Sequence, residues 1–144
     1  MFNKSSDDRL SEWRLLRETL DNSDNPLDIV TEFWSNAPLI TFNYTIDQYN
    51  PNSWPTPWDI ITDNKYDDFT LGVMIGYTLK LTKKFSNSKI ELRTMVDENR
   101  TRLYNLVYVD DTMVLNYDKW KAIKAQDIPD SFLLENLIDI TRPR

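Results

Sequence analysis

The sequence predicts an α+β domain: a central buried helix packed on a three-stranded antiparallel meander and flanked by N- and C-terminal helices. Three observations carry that expectation. The stretch Tyr66 to Phe85 is the most apolar in the chain, with Phe69, Leu71, Val73, Met74, Ile75, Tyr77, Leu79 and Leu81 spread nearly all round a helix, the mark of one buried on most sides. After it the hydrophobic period falls from 3.6 to 2, starting at Lys89, which marks a change from helix to strand. Two glycines and seven prolines in 144 residues are few turn-formers for an all-β chain, so helices must carry much of the fold. At this length, with 40% apolar and 28% charged residues, residues 1–144 form one folded domain.

The elements follow in order. Ser5 starts a helix with acids in its first turn. Leu10, Trp13, Leu16 and Leu20 form its apolar side, and Arg9, Arg14 and Arg17 lie on or beside the wet face. Asp24 or Asn25 caps a second helix that opens with Pro26 and lines Leu27, Val30, Phe33 and Trp34 along one side. Ala37 to Tyr49 is irregular or a short strand. Tyr49 to Trp58 holds three prolines and two tryptophans, which excludes a helix interior or a central strand. Thr56 caps a short helix beginning at Pro57, with Trp58, Ile60 and Ile61 facing inward. This Trp-Pro loop either plugs the core helix or forms a binding surface. The core helix itself holds both glycines, Gly72 and Gly76. Four residues apart on one face, they predict a groove where another group comes close.

Lys89 to Val96, Leu103 to Val109 and Thr112 to Tyr117 are the three strands of the meander, with Asp110-Asp111 as a two-residue hairpin turn. Asp118 is expected to cap a short helix, Lys119 to Ala125, with Trp120 and Ile123 on one side. Pro129-Asp130 is expected to open a last helix whose apolar face is Phe132, Leu133, Leu134, Leu137 and Ile138.

Composition constrains the chemistry more than any motif does. The chain has no cysteine and no histidine. That removes thiolate nucleophiles, disulfides and thiolate metal sites, and with histidine go the usual general base and zinc ligand. No cofactor and no metal are expected. A net charge of −6 with a pI near 4.6, and no basic run longer than Lys83-Lys84, argue against nucleic acid as a partner. No stretch approaches a membrane span and the first residues carry no apolar signal segment, so neither secretion nor membrane spanning is expected. Asp67-Asp68, with Asp63 or Asp59, could hold a divalent cation, but N-capping of the core helix accounts for the pair without a partner. Tyr108-Val109-Asp110-Asp111 resembles a polymerase palm turn, and aspartates that tolerate positive φ explain it equally. Glu91 and Arg93 read as a solvated sheet face.

From Pro55 to Asp118 the order of elements resembles the transglutaminase-like cysteine-protease core. Pro57-Trp58-Asp59-Ile60-Ile61 is similar to its proline-tryptophan turn, Tyr66-Asp67-Asp68-Phe69-Thr70-Leu71 to its helix start, and Leu103 to Tyr117 to its strand pair. In that family the helix opens with a nucleophilic cysteine, one strand carries a histidine and the next ends at an aspartate. Here Tyr66 falls at the cysteine position, Arg102 or a neighbour near the histidine, and Asn116 to Asp118 near the aspartate. The resemblance implies a scaffold that binds without catalysing. The Asn-, Asp-, Lys- and Ile-rich composition also resembles small proteins of tailed bacteriophages, particularly those of marine cyanobacteria. The expectation is therefore a non-enzymatic protein–protein interaction module, a structural or assembly component of a phage particle located in the virion or the host cytoplasm. An acidic inhibitor of a host enzyme is the alternative, and a carboxylate-based metal-dependent hydrolase using Asp67, Asp68 and Asp110 the further one. The expected binding residues are Trp54, Pro55, Pro57 and Trp58 with Tyr66, and Trp13 of the first helix, since tryptophan and tyrosine are common interface anchors.

Overall fold

The computed structural model describes residues 1–143. Its helices are α1 (Ser6–Asp21), α2 (Pro26–Ser35), α3 (Pro57–Asp63) and α4 (Asp68–Lys80), followed by strands β1 (Ile90–Val96), β2 (Leu103–Val109), β3 (Met113–Leu115), β4 (Ile123–Lys124) and β5 (Leu133–Asp139). All five strands form one antiparallel sheet in the order β4-β3-β2-β1-β5. The α+β class and the central helix on an antiparallel sheet are as expected; the C-terminal helices are not.

The caps behave as their side chains dictate. The Ser5 hydroxyl accepts from Asp8 N, Thr56 from Asp59 N and Asp67 from Thr70 N, each at the start of its helix. Asn25 precedes Pro26 at the start of α2 but makes no side-chain cap bond. Helix α4 is the hub. Its Thr78 hydroxyl accepts from the indole nitrogens of Trp13 on α1, at 2.9 Å, and Trp34 on α2, at 3.2 Å, and donates to Met74 O. One buried hydroxyl thus satisfies two tryptophans and fixes two helices against a third. Arg9, expected near the wet face, is instead buried: its guanidinium donates to the carbonyls of Lys4, Ile61 and Thr62. Those three backbone acceptors make its burial tolerable, and they tie α1 to the end of α3.

The glycine face of α4 is the predicted groove. A Cβ at Gly72 would stand 2.7 Å from Leu92 Cδ1 of β1, and one at Gly76 would stand 3.1 Å from Ile140 Cγ1, just beyond β5. The helix therefore lies close on the two strands that the sequence pairs across some fifty residues. Asp110 and Asp111 both take positive φ, at 51° and 60°, the conformation of a two-residue hairpin turn.

Two expected helices are corrected. Lys119 to Ala125 is a set of bends ending in β4, held by Asp118 Oδ1 accepting from Trp120 N and Asp28 Oδ1 accepting from Ala122 N. Trp120 is 63% exposed, so the apolar side that a helix would have needed to bury does not exist. Beyond Pro129 the chain forms strand β5 rather than a helix. It pairs with β1 from Leu133↔Val96 to Asp139↔Glu91, with a bulge opposite Thr94/Met95. The segment between β3 and β5 covers the outer sheet face, where Ile128, Phe132 and Tyr117 pack on Leu106, Tyr108 and Tyr104.

Candidate functional site

The loop before α4, the first turn of α4 and the inner face of the sheet meet in one polar junction. Asp67 caps the helix through Oδ1, which accepts from Thr70 N at 2.7 Å and Thr70 Oγ1 at 2.6 Å. Its other oxygen accepts from Asn43 N at 2.9 Å, and Asn43 Nδ2 donates to Lys65 O. Both carboxylate oxygens are thereby used to pin the loop Leu39 to Tyr49 against the helix start. Asp68, one residue on, accepts from Asn105 Nδ2 of β2 at 2.8 Å and has Lys119 Nζ at 3.8 Å. Asn105 Oδ1 accepts in turn from Thr94 Oγ1 of β1 at 3.0 Å, and Asn105 O from Asn116 Nδ2 at 2.8 Å. Asn116 sits just after β3 with φ of 67°, a left-handed conformation that asparagine tolerates.

The start of the helix, a side chain of β2 and one beyond β3 thus converge, and the residues there are Asp68, Asn105 and Asn116; the Tyr66 ring packs elsewhere, on Phe2 and Trp34. Arg102, placed near the histidine position by resemblance, lies in the exposed turn before β2 with its guanidinium over the Tyr104 ring. The side chain that faces α4 is Asn105. A lone polar residue at an inward position of the run Leu103 to Val109 was the available signal. A carboxamide neither gains nor loses a proton near neutral pH, so Asn105 cannot serve as general base and Asn116 cannot orient one by charge. Tyr66 cannot stand in for a thiolate. It is fully buried among Phe2 and Trp34, burial pushes its phenol well above the ordinary value, with Arg9 partly opposing, and its hydroxyl has no hydrogen-bond partner. Asp110, the third acid of the hydrolase reading, lies beyond the far end of β2, where it accepts from Lys89 N. Among the described residues no three carboxylates gather as a metal-holding group.

The expected binding residues separate into two sets. Trp13 and Tyr66 have no exposed surface and Pro57 is buried; they are core, because Thr78, Phe2 and Trp34 take up their surfaces. Trp58 keeps 38% of its surface exposed and meets Trp13 edge to face at 5.9 Å. Trp54 is half-buried: its indole donates to Asp47 O and its ring stands edge-on to Phe69 and Tyr77. Pro55 is partly exposed beside it. A run of exposed apolar and aromatic residues lies elsewhere, on the loop pinned by Asp67. There Leu39, Ile40, Phe42, Tyr44 and Tyr49 are all exposed, Tyr44 at 89%, and Phe42 packs against Tyr44 at 4.7 Å. The sequence reads this stretch as irregular or a short strand, and its aromatic content was the signal available there.

The fold, a helix whose start abuts the inner face of an antiparallel sheet, is transglutaminase-like by its likeness to a solved structure. Among solved structures the chain is similar to LapG of Legionella pneumophila in its calcium-bound form, at 17% identity with a TM-score of 0.67, over 92% of this chain and 75% of that one. At that identity the likeness concerns the fold. No family model matches the chain, and no curated protein matches it. Among the described residues no helix is long and apolar enough to cross a membrane.

Proposed function

We propose that the protein is a non-enzymatic protein-binding module built on a transglutaminase-like scaffold. One observation carries this reading: the polar junction at the helix start holds Asp68, Asn105 and Asn116, with the two asparagines spent on internal hydrogen bonds, while Tyr66, at the position the resemblance gives the nucleophile, is buried in the core away from it. Proton transfer by carboxamides is not available at neutral pH. The surface we assign to partners is the aromatic loop Leu39 to Tyr49, held rigidly by the buried Asp67. Exposed aromatic side chains on a fixed backbone give large contact area at small entropic cost. The narrower role, a structural or assembly component of a phage particle, rests on composition.

Two measurements test it. A mixed fluorogenic peptide library should show no turnover above buffer, whereas turnover abolished by Asn105→Ala would overturn the non-enzymatic reading. Affinity capture from the producing cells, washed at low and then high salt, should retain particle or assembly subunits. The double variant Phe42→Ala/Tyr44→Ala should lose them while melting like the parent. Retention by that variant would remove the loop from the proposal.

A further inference from the structure

We propose that the free edge of β5 receives an extended basic segment of a partner protein as an added strand. The site adjoins the aromatic loop, whose Gln48 O accepts from Asn136 Nδ2 of β5 at 3.0 Å, but it does not rest on the proposed function. In the order β4-β3-β2-β1-β5, β5 closes one side of the sheet with seven residues, whereas β4 closes the other with two. Ile140 N donates to Ile90 O at 2.8 Å, and Leu92↔Ile138 and Thr94↔Asn136 are the next pairs along. By antiparallel alternation, Asn136, Ile138 and Ile140 direct their backbone groups to β1, and Leu137 and Asp139 direct theirs away. Among the described residues no other backbone group is hydrogen-bonded to those outward positions.

Proteins blunt such edges with charged side chains (lysine above all), proline, bulges, cover or brevity. Leu133–Asp139 contains no lysine and no proline, and five of its seven residues are exposed. Its bulge at Glu135 ends the regular run but leaves the outward pairs at Leu137 and Asp139 intact. Beside the Asp139 end runs a groove of about 320 Å³ lined by Trp54, Pro55, Tyr77 and Ile140, so the Trp-Pro loop borders the edge.

Charge selects the occupant. Asp139 has no cation within ion-pair distance among the described residues, although Arg142 lines the same groove, and it lies across from Glu91, whose charge Arg93 and Lys89 already meet; Glu135 meets only the exposed Arg100, at 3.4 Å. A second copy pairing about a two-fold at Leu137 would set Glu135 opposite Asp139, and one at Asp139 would oppose two aspartates. Like charges directly opposite destabilise a pair of strands. A strand with lysine or arginine opposite Glu135 and Asp139, and an apolar residue opposite Leu137, meets each of these demands.

The test titrates isotope-labelled protein with a capped heptapeptide alternating threonine with lysine, valine and lysine. The expected result is saturable amide shifts centred on Leu137 and Asp139, with slowed hydrogen exchange at both. Affinity should fall with added salt and by about tenfold or more in Glu135→Lys/Asp139→Lys, and the same peptide with glutamate for lysine should not bind. Leu137→Pro, which removes an outward N–H that β1 does not use, should abolish binding while the melt stays cooperative. Three results would each overturn the proposal: no shifts on β5 at millimolar peptide, equal binding of the glutamate peptide, or β5 shifts that grow with protein concentration alone, which would assign the edge to a second copy.

Discussion

Tyr66 is a fully buried phenol whose hydroxyl finds no partner, and leaving such a group unpaired costs about 1–3 kcal/mol. Tyr66→Phe removes the hydroxyl without changing the ring that packs on Phe2 and Trp34. It should therefore raise the unfolding free energy read from urea titration by up to about 1 kcal/mol once relaxation is allowed for. The same residue has a pH signature. Burial raises its pKa above the ordinary 10 in the folded state, while in the unfolded chain it ionises normally. Its contribution is thus fully present below about pH 10 and is lost as pH rises further, at up to about 1.4 kcal/mol per unit. Stability curves of parent and Tyr66→Phe should run parallel at pH 7–9 and diverge above 10, the parent falling faster. Parallel curves throughout would mean the phenol ionises in place. The position of Tyr66 before the core helix was legible in the sequence; its complete burial was not, because periodicity does not say which element covers a residue that precedes a helix.

At the scale of elements, Asp67 joins a helix cap to a loop. Its carboxylate accepts from Thr70 on one oxygen and Asn43 on the other, so Asp67→Ala loses a cap, worth about 0.5–2 kcal/mol, and a charge-assisted bond of comparable size. A loss of about 2–3 kcal/mol is expected, together with faster hydrogen exchange from Asn43 to Tyr49. If exchange in that loop were unchanged, the loop would be held by something other than this residue. The cap was readable because aspartate before an apolar helix has a local cause. Strand β5 was not, and its bulge explains why. Leu133, Asn136, Ile138 and Ile140 face α4 while Leu134 and Leu137 face away. The extra residue at Glu135 breaks the period of two and leaves Leu133, Leu134, Leu137 and Ile138 spaced as a helix would space them.

Across the whole molecule, the groove on α4 makes sense only once β5 is a strand. The two glycines predicted a close approach, yet its nature, a strand pair reaching from Leu92 to Ile140, comes from tertiary pairing that no local pattern records. The polar junction was legible to the same degree: Asp68 and Asn116 could be placed by element order, whereas Asn105 needed the register of β1 on β2. The Gly76–Ile140 contact joins the hub helix to the C-terminal end of the sheet and can be measured as a coupling. Gly76→Ala alone gains about 1 kcal/mol of helix propensity but sets a methyl 3.1 Å from the buried Ile140, an overpacking cost of about 1–3 kcal/mol. Ile140→Ala alone removes the two γ carbons that the new methyl would meet and should cost about 2–5 kcal/mol. In the double variant the new methyl occupies the vacated space, so the combined loss should be smaller than the sum by at least about 0.5 kcal/mol. Additive losses would mean that α4 and the residue just beyond β5 do not share this contact, leaving the β1–β5 ladder to hold that end of the sheet by itself.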